Sequence, residues 1–211
     1  GQLGQNDLIT RSTVVPVLGI SSQAIAVACG QNHTAILLNN GTVRVCGNNQ
    51  YGQLGQNDLV TRSTVVAVIG ISSQAIAISC GGQHTAILLN NGMVYTSGFN
   101  LQGETGTNDA VLHSTVVPVV RISSQAIAVS CGVFTTAILL NNGTVQVCGY
   151  SGQGQLGQND TVLARSTVVP VLGICSQAIA VSSGGSITAI LLNNGTVRVC
   201  GLNNQGQLGL N

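Results

Sequence analysis

The sequence contains no tryptophan and no lysine, and charged residues make up only 5% of its 211 residues. Soluble domains typically carry about 25% charged residues, so we expect a neutral surface rich in amide groups. Six Lys and Arg residues against five Asp and Glu residues give a formal net charge of +1. Nucleic acids and anionic lipids are bound through basic patches or stripes, and none is visible here. We therefore expect no nucleic-acid partner.

Long hydrophobic runs are also absent. Hydrophobic residues make up 44% of the chain, yet no apolar run approaches the roughly 18 to 20 residues that a membrane-spanning helix requires. Membrane insertion is therefore not expected. The sequence begins at Gly1 without methionine and directly inside a repeated motif. We expect the chain to be part of a longer polypeptide or of a larger assembly.

A glycine-framed motif, Gly-Gln-Leu-Gly-Gln-Asn-Asp, organises the chain. Its successive first glycines lie 51, 51, 51 and 52 residues apart, at Gly1, Gly52, Gly103, Gly154 and Gly206. Periods of about 20 to 50 residues indicate solenoids, propellers or arrays. We predict a single repeat domain over 1–211, with approximate units 1–51, 52–102, 103–153 and 154–205 and the start of a next unit at 206–211.

Each unit contains four short apolar runs separated by turn signals, which is typical of an all-β fold. In unit one the predicted strands are 12–18, 24–29, 33–38 and 42–46. An Asn-Gly pair, Asn40-Gly41, separates the last two and is a strong hairpin signal. Prolines in the first strand, such as Pro118 and Pro170, suit an edge strand.

The second predicted strand has one bulky and one small face. Strict alternation places Ile25, Val27 and Cys29 on one face and alanines on the other. Stacked sheets need large side chains of one sheet to enter the space left by small ones on the next. The asymmetry recurs in all four units and fits sheets stacked around an axis, as in a β-propeller of four-stranded antiparallel blades, while the strand pattern alone is also typical of a sandwich or a barrel.

The seven cysteines do not form a disulfide or zinc pattern. Serine replaces cysteine at equivalent repeat positions, as Ser183 and Ser97 show. An obligatory bridge would not tolerate this exchange, and the close CxxC pairs of a zinc site are missing. We predict that most of these residues are small buried thiols in strands.

Together the segments GQLG, VVPV and AIAVACGQNHTAILLNNGTVRVCGNNQYGQLG resemble the repeat of the regulator of chromosome condensation family. The resemblance covers essentially the whole chain and implies a β-propeller, usually of seven blades. The family often has tryptophan before the glycine that closes the fourth strand, where this chain has Cys46, Ser97, Cys148 and Cys200. Whether four blades close alone or belong to a larger, seven-blade ring stays open at this point.

The resemblance also carries functional expectations. The founding member of the family is a guanine-nucleotide exchange factor that docks on chromatin, and other members are modules of ubiquitin ligases, light sensors, bacterial effectors or inhibitors of β-lactamases. Exchange activity would require an inserted wedge between blades and an acidic contact face, and this sequence contains neither. Fold alone does not select a function, so the exchange-factor alternative is the less favoured one.

Candidate catalytic and metal-binding residues have simpler structural interpretations. His33 and His84 have no carboxylate or cysteine at ligand spacing and are replaced in later units. A recurring aspartate, such as Asp58, follows asparagine in a Gly-rich turn, where it usually accepts a hydrogen bond from its own backbone. The Gly-rich loop lacks the lysine of a phosphate-binding loop. We predict no catalytic residue, no metal site and no cofactor.

The remaining candidates are aromatic and apolar residues that interrupt an otherwise uniform frame. Loops on a rigid scaffold are the usual location of binding residues, and aromatic residues are enriched in interface hot spots. The candidate partner-binding residues are Tyr51, Phe99, Leu101, Phe134 and Tyr150. Packing within the loops is the alternative interpretation of the same residues. The predicted function is a non-enzymatic scaffold for protein–protein binding or self-assembly, or alternatively a structural subunit of a larger particle or filament.

Overall fold

The computed structural model describes residues 1–20, 23–71 and 74–209. In this part of the chain the regular structure is entirely β, with fifteen strands and no helix. The strands form four antiparallel sheets that follow one another along the chain. The predicted all-β class is confirmed. Leu210 and Asn211, the last residues of the predicted unit start at 206–211, lie outside the described residues.

The sheets are called blades one to four. Blade one contains β1 (Ala24–Cys29), β2 (His33–Leu38), β3 (Val43–Gly47) and β4 (Arg62–Ala67). Blade two contains β5 (Ala75–Cys80), β6 (His84–Leu89), β7 (Val94–Gly98) and β8 (His113–Pro118). Blade three contains β9 (Ala126–Cys131), β10 (Thr135–Leu140), β11 (Val145–Tyr150) and β12 (Ala164–Pro170). Blade four has three strands among the described residues: β13 (Ala178–Ser183), β14 (Ile187–Leu192) and β15 (Val197–Gly201).

The outer strand of each four-stranded blade comes from the next repeat. β4, β8 and β12 follow the next glycine-framed motif and pair with β3, β7 and β11. A blade therefore joins three strands of one unit to the first strand of its successor. Pro118 and Pro170 end β8 and β12, which are edge strands. Proline has no amide N–H to donate, so at a sheet edge it breaks no hydrogen bond between central strands.

The strand predicted at 12–18 is not formed. Its counterparts in later units are β4, β8 and β12, each of which pairs with the third strand of a preceding blade. A strand needs such a partner to satisfy its backbone groups. No third strand lies beside 12–18 in the described ranges, so the segment is irregular although its sequence suits a strand.

The Asn-Gly pair makes the predicted hairpin between β2 and β3. The Gly41 amide donates to the Leu38 carbonyl at 2.9 Å, and the Leu38 amide donates to the Thr42 carbonyl at 2.9 Å. Gly41 has a φ of +78°, which other L-residues rarely adopt. The turn with a bulged glycine at its end is a common way to join antiparallel strands.

Three hydrophobic cores lie between successive blades. In the first, buried residues of β2 and β3 pack against buried residues of β6, namely Ala35, Leu37, Val43 and Val45 against Ile87 and Leu89. Equivalent residues form the cores between blades two and three and between blades three and four. Each blade is therefore stabilised mainly by its neighbours, as expected for a repeat architecture.

The first strands of successive blades contact one another and form the inner side of the arc. Ala26 and Ala28 of β1 pack into the same core as Ile78 and Cys80 of β5, which confirms the predicted fit of small against large side chains. The predicted strict alternation of side chains between the two faces of β1 is wrong, because the pairing with β2 has a register shift between Ala24 and Ala26. A bulge re-aims the extra residue, and Ile25 is accordingly 64% exposed.

Candidate protein-binding surface

The five candidate residues lie at one end of the blades. This end carries the short turns between first and second strands and the long loops between third and outer strands, and the Asn-Gly hairpins lie at the opposite end. We call it the loop face, defined by 30–32 and 48–61 in blade one and by the equivalent residues of the other blades. Phe134 lies in a short turn, whereas the long loops and the end of β11 carry Tyr51, Phe99, Leu101 and Tyr150.

A buried asparagine sets the path of the long loop. The Asn49 side-chain amide donates to the Asp58 carbonyl at 2.9 Å, and its oxygen accepts from the Leu54 amide at 2.9 Å. Gly52 turns the loop with a φ of +85°. A Cβ at Gly52 would lie 2.5 Å from the His113 carbonyl oxygen, so the backbone of blade two requires glycine here. Gly52 therefore provides both the positive φ of the turn and a close approach to blade two.

The recurring aspartates close the same loop. The Asp58 carboxylate accepts from the Val60 amide at 3.0 Å, which lowers the pKa of this carboxyl. It also forms an ion pair with Arg62 at 2.5 Å. Asp7 and Asp160 accept backbone amides in the same way. The interpretation of these aspartates as turn residues is therefore confirmed.

The two repeated histidines join neighbouring blades. His33 Nε2 lies 2.9 Å from Thr85 Oγ1, and His84 Nε2 lies 2.9 Å from Thr136 Oγ1. Thr85 in turn donates to the Gln53 carbonyl of the long loop at 2.7 Å. Burial lowers the pKa of His33 to about 4. The structural interpretation of the histidines is confirmed, because these neutral rings tie two blades and a loop together.

Four of the five candidates form two aromatic pairs. The Tyr51 and Phe99 rings are 5.3 Å apart with an interplanar angle of 88°. The Phe134 and Tyr150 rings are 6.4 Å apart with an angle of 76°. Such edge-to-face contacts orient the rings. Leu101 belongs to neither pair and is 54% exposed.

Beneath the aromatic residues lie two buried polar atoms that the sequence analysis did not identify. In the long loop of blade one the Gln53 amide nitrogen donates to the Asn48 side-chain oxygen at 3.2 Å. Phe99 and Tyr150 occupy the position of Asn48 in the next two units. The atoms equivalent to Gln53 Nε2, Glu104 Oε1 and Gln155 Nε2, are buried and have no hydrogen-bond partner among the residues that the structure describes. The spacing of five residues between Asn48 and Gln53 was the signal available in the sequence.

Glu104 is the one acidic residue at this glutamine position. Its side chain is fully buried, and burial raises its pKa to about 7. Its other carboxyl oxygen accepts from the Gln102 amide at 3.0 Å. A carboxyl group that is partly protonated at neutral pH therefore lies beneath the loop face.

The described part of the chain contains neither a metal-binding cluster nor a membrane-spanning helix. Within 1–20, 23–71 and 74–209, no three His, Cys, Asp or Glu side chains form a group that could hold a metal ion. The described chain has no helix of the length and hydropathy needed to span a bilayer.

Comparison with known repeats agrees with this architecture. The family described as "Regulator of chromosome condensation (RCC1) repeat" matches four segments, 24–53, 75–104, 126–155 and 178–207, and a second description of the same repeat matches 40–88. The four segments together cover more than half of the chain. The chain therefore belongs to the RCC1 repeat family, as its motifs predicted.

Curated relatives share the repeat at moderate identity. The chain is 30% identical over 173 residues to the mouse regulator of chromosome condensation, which covers 80% of this chain and 41% of that protein. It is 32% identical over 196 residues to the rat probable E3 ubiquitin-protein ligase HERC4, covering 89% of this chain and 18% of that protein. The chain thus spans less than half the length of either relative.

Solved structures confirm the propeller fold. The Saccharomyces cerevisiae protein Prp20p matches with a TM-score of 0.79 at 19% identity, covering 92% of this chain and 49% of Prp20p. Human WBSCR16 matches with a TM-score of 0.76 at 24% identity, covering 84% of this chain and 47% of that chain. At these identities the likeness establishes the fold alone. The four blades are an arc of an RCC1-type propeller.

Proposed function

We propose that this chain is a non-enzymatic propeller scaffold that binds a protein partner on its loop face. Tyr51, Phe99, Leu101, Phe134 and Tyr150 are the proposed contact residues. These residues lie at one end of the blades, at positions where one repeat differs from the others. Aromatic side chains are favoured at protein interfaces because they lose little conformational freedom on binding. The paired rings are held in place before a partner arrives.

The exchange of Asn48 for aromatic residues in the next two units supports this proposal most strongly. In both cases the exchange leaves a buried polar atom, on Glu104 and on Gln155, without a hydrogen-bond partner in the described part of the chain. An unsatisfied buried polar group costs about 1 to 3 kcal/mol. Packing inside the loop does not require this loss, because Asn48 fills the same position in unit one. A contact between these aromatic residues and a protein partner would offset this free-energy cost.

The relatives are consistent with a binding role. The structure of Prp20p was determined together with its binding properties towards Gsp1p and histones. A structure of Kap60 bound to yeast RCC1 (Prp20) is also known. These are properties of those proteins. The surface of the present chain is different in character, because only 5% of its residues are charged. We therefore propose an aromatic and neutral contact rather than a strongly charged one.

Site-specific photo-crosslinking tests the proposal. A photo-reactive phenylalanine analogue replaces Phe134, which is 38% exposed and already aromatic. The matched control carries the analogue at Met93, which is 42% exposed in the hairpin at the opposite end of blade two. We expect covalent adducts with a distinct partner from position 134 and none from position 93.

Alanine variants identify the contributing residues. Replacing Tyr150 with Ala should abolish the adduct from position 134, since the ring that orients Phe134 is lost, while circular dichroism stays unchanged. Adducts that persist in the Tyr150→Ala protein, or that form equally at position 93, would contradict the proposed surface.

A further inference from the structure

We propose that a pocket at the hairpin end of blade two binds a small molecule in which a carboxylate is attached to an apolar body, with Arg121 as the partner of the carboxylate. The pocket has a volume of about 440 Å³ and lies between the hairpin that joins β6 to β7 and residues 119–125, which lead from β8 to β9. We call it the Arg121 pocket, lined by 91–94, 119, 121, 122, 124 and 125. It lies at the opposite end of the blades from the loop face, so this inference does not depend on the proposed function.

Two residues of the Arg121 pocket depart from the repeat. Arg121 stands where the other units have glycine, and Met93 stands where they have threonine. The equivalent residues are Gly19, Gly70 and Gly173 for the first position and Thr42, Thr144 and Thr196 for the second. The two exchanges lie on different segments of blade two and meet in this pocket.

Arginine at position 121 is unfavourable for the backbone. Its φ is +65°, and the equivalent glycines have φ values of +81°, +89° and +74°. A residue with a Cβ adopts this left-handed conformation at a cost in stability, whereas glycine does not. The Arg121 guanidinium makes neither an ion pair nor a hydrogen bond within the described part of the chain. No polar contact of this side chain with the described residues therefore offsets the backbone strain.

Methionine at position 93 removes a hydrogen bond from the hairpin. In blade three the Thr144 hydroxyl donates to Asn142 Oδ1 at 2.7 Å. Met93 has no hydroxyl, and its backbone amide alone donates to Asn91 Oδ1, at 3.0 Å. The Met93 side chain is instead 42% exposed at the pocket, where its flexible thioether can adapt to an apolar ligand. Both exchanges therefore weaken the fold and line the same pocket.

A third exchange, at Gln146 of β11, fixes the backbone that carries Arg121. Gln146 is 5% exposed, its side-chain oxygen accepts from the Ser123 amide at 3.0 Å, and its side-chain nitrogen donates to the Arg121 carbonyl at 3.4 Å. The equivalent residues in the other units are Arg44, Tyr95 and Arg198. Glutamine thus avoids a second positive charge beside Arg121 and holds the backbone of this residue in place. Such preorganisation lowers the entropy lost when a ligand binds.

The distribution of acidic residues favours an anionic ligand at Arg121. All five acidic residues of the chain belong to glycine-framed motifs of the loop face, namely Asp7, Asp58, Glu104, Asp109 and Asp160. The hairpin end therefore has no carboxylate to compensate the charge of Arg121. A guanidinium donates two parallel hydrogen bonds to a carboxylate, and such charge-assisted pairs are stronger than neutral hydrogen bonds. A carboxylate is therefore the ligand group that fits Arg121 best.

The remaining lining indicates the rest of the ligand. Its apolar part consists of Met93, Val94, Val119 and Ile122. Its polar part beside Arg121 consists of Asn91, Ser124 and Gln125, which carry no charge. A pocket with one cation and an apolar wall suits a single carboxylate on an apolar body, whereas a polyphosphate requires several cations. The volume of about 440 Å³ lies within the range of roughly 300 to 1,000 Å³ that is usual for small-molecule sites.

The single methionine of the chain provides a direct probe of the pocket. Protein labelled with ¹³C at the methionine methyl group gives an NMR signal from Met93, and Met93→Thr assigns this signal by removing it. Titration with hexanoate should shift the signal saturably. Hexanamide has the same shape without the charge, and acetate has the charge without the apolar chain. Each should bind at least about tenfold more weakly, because one loses the charged hydrogen bonds and the other the buried methylene groups.

Variants of Arg121 test its role. Arg121→Gly restores the residue of the other units, so it should be at least as stable as the wild type and bind hexanoate about tenfold more weakly or worse. Arg121→Lys keeps the charge and should retain most of the affinity. Arg62→Gln removes the same charge from the loop face and is the matched control, which should bind hexanoate as the wild type does. Added salt should weaken the binding of hexanoate, because Arg121 is exposed.

Several outcomes would overturn the proposal. These are the lack of a saturable shift at millimolar hexanoate, equal affinities for hexanoate and hexanamide, and undiminished binding by Arg121→Gly. Inorganic phosphate that displaces hexanoate at equal concentration would show a site for free anions instead. The Tyr150→Ala protein should bind hexanoate normally, which separates failure of this pocket from failure of the loop face. Because the proposed ligand is a small molecule, no protein adduct is expected from position 93.

Discussion

His33 Nε2 and Thr85 Oγ1 lie 2.9 Å apart across the boundary between blades one and two. His84 and Thr136 repeat the contact between blades two and three. Each histidine is buried and uncharged, because burial lowers the pKa of His33 to about 4 and of His84 to about 3. The uncharged imidazole rings therefore stabilise the contacts between neighbouring blades.

The first prediction concerns stability in acid. Unfolded histidine has a pKa of about 6.5, so between this pH and about pH 3 to 4 the unfolded chain binds more protons than the folded one. Stability then rises with pH in this window and is lost as the pH falls. His84→Thr, the residue that Thr135 supplies in unit three, should flatten this slope. Chemical denaturation between pH 4 and 8 measures it.

The magnitude and a control follow from the same contact. At pH 8 we expect His84→Thr to cost about 1 to 3 kcal/mol, since a buried ring and its hydrogen bond are lost. Near pH 4 the wild type and the variant should differ much less. A constant difference across the whole range would show that His84 is protonated to the same extent in the folded and unfolded chains.

The second prediction concerns Glu104, whose pKa is raised to about 7 by burial. For a folded pKa above the unfolded one, the folded chain binds more protons between about pH 4.5 and pH 7. Stability therefore falls as the pH rises through this window, opposite in sign to the histidines. Glu104→Gln, which restores the residue of the other units, should stabilise the protein by about 1 to 3 kcal/mol at pH 8.

The reverse substitution is the matched control. Gln53→Glu places a carboxylate near the Asn48 side-chain oxygen, which accepts from Gln53 at 3.2 Å in the wild type. It should destabilise the protein at pH 8 and much less at pH 4.5. Equal unfolding free energies for Glu104→Gln and the wild type at pH 8 would show that the Glu104 carboxylate is solvated rather than buried.

Much of the fold could be predicted from the sequence, because the pattern of each strand and turn recurs in four units. The hairpin at Gly41, the positive φ of Gly52 and the turn role of Asp58 all follow from local chemistry. The loss of the strand at 12–18 could not be read in this way, because its pairing depends on a strand outside its own unit. Local pattern shows that a segment suits a strand, whereas the partner decides whether one forms.

The candidate surface was only partly predictable. Aromatic residues such as Phe99 and Tyr150 stand out against the repeat, and their positions relative to the strands place them on one face. The pairing of Phe99 with Tyr51 depends on the distance between two blades, and that of Tyr150 with Phe134 on the distance between two strands of blade three. The burial of Glu104 Oε1 and Gln155 Nε2 could not be predicted from the sequence, because it depends on the positions of the loop side chains in the folded structure.

The third prediction concerns the approach of the motif to the neighbouring blade. Gly52→Ala combines two costs, since its φ is +85° and the added Cβ would lie 2.5 Å from the His113 carbonyl oxygen and from Ser114 Cα. Gly19→Ala has a similar φ of +81° but only an ordinary contact, at 3.6 Å from Val65 Cγ2. Backbone strain alone costs roughly 1 to 2 kcal/mol, so we expect about that loss for Gly19→Ala and a loss larger by about 1 to 3 kcal/mol for Gly52→Ala. Urea denaturation compares the two, and equal losses would mean that β8 moves aside, in which case the motif sets only the turn and not the spacing between blades.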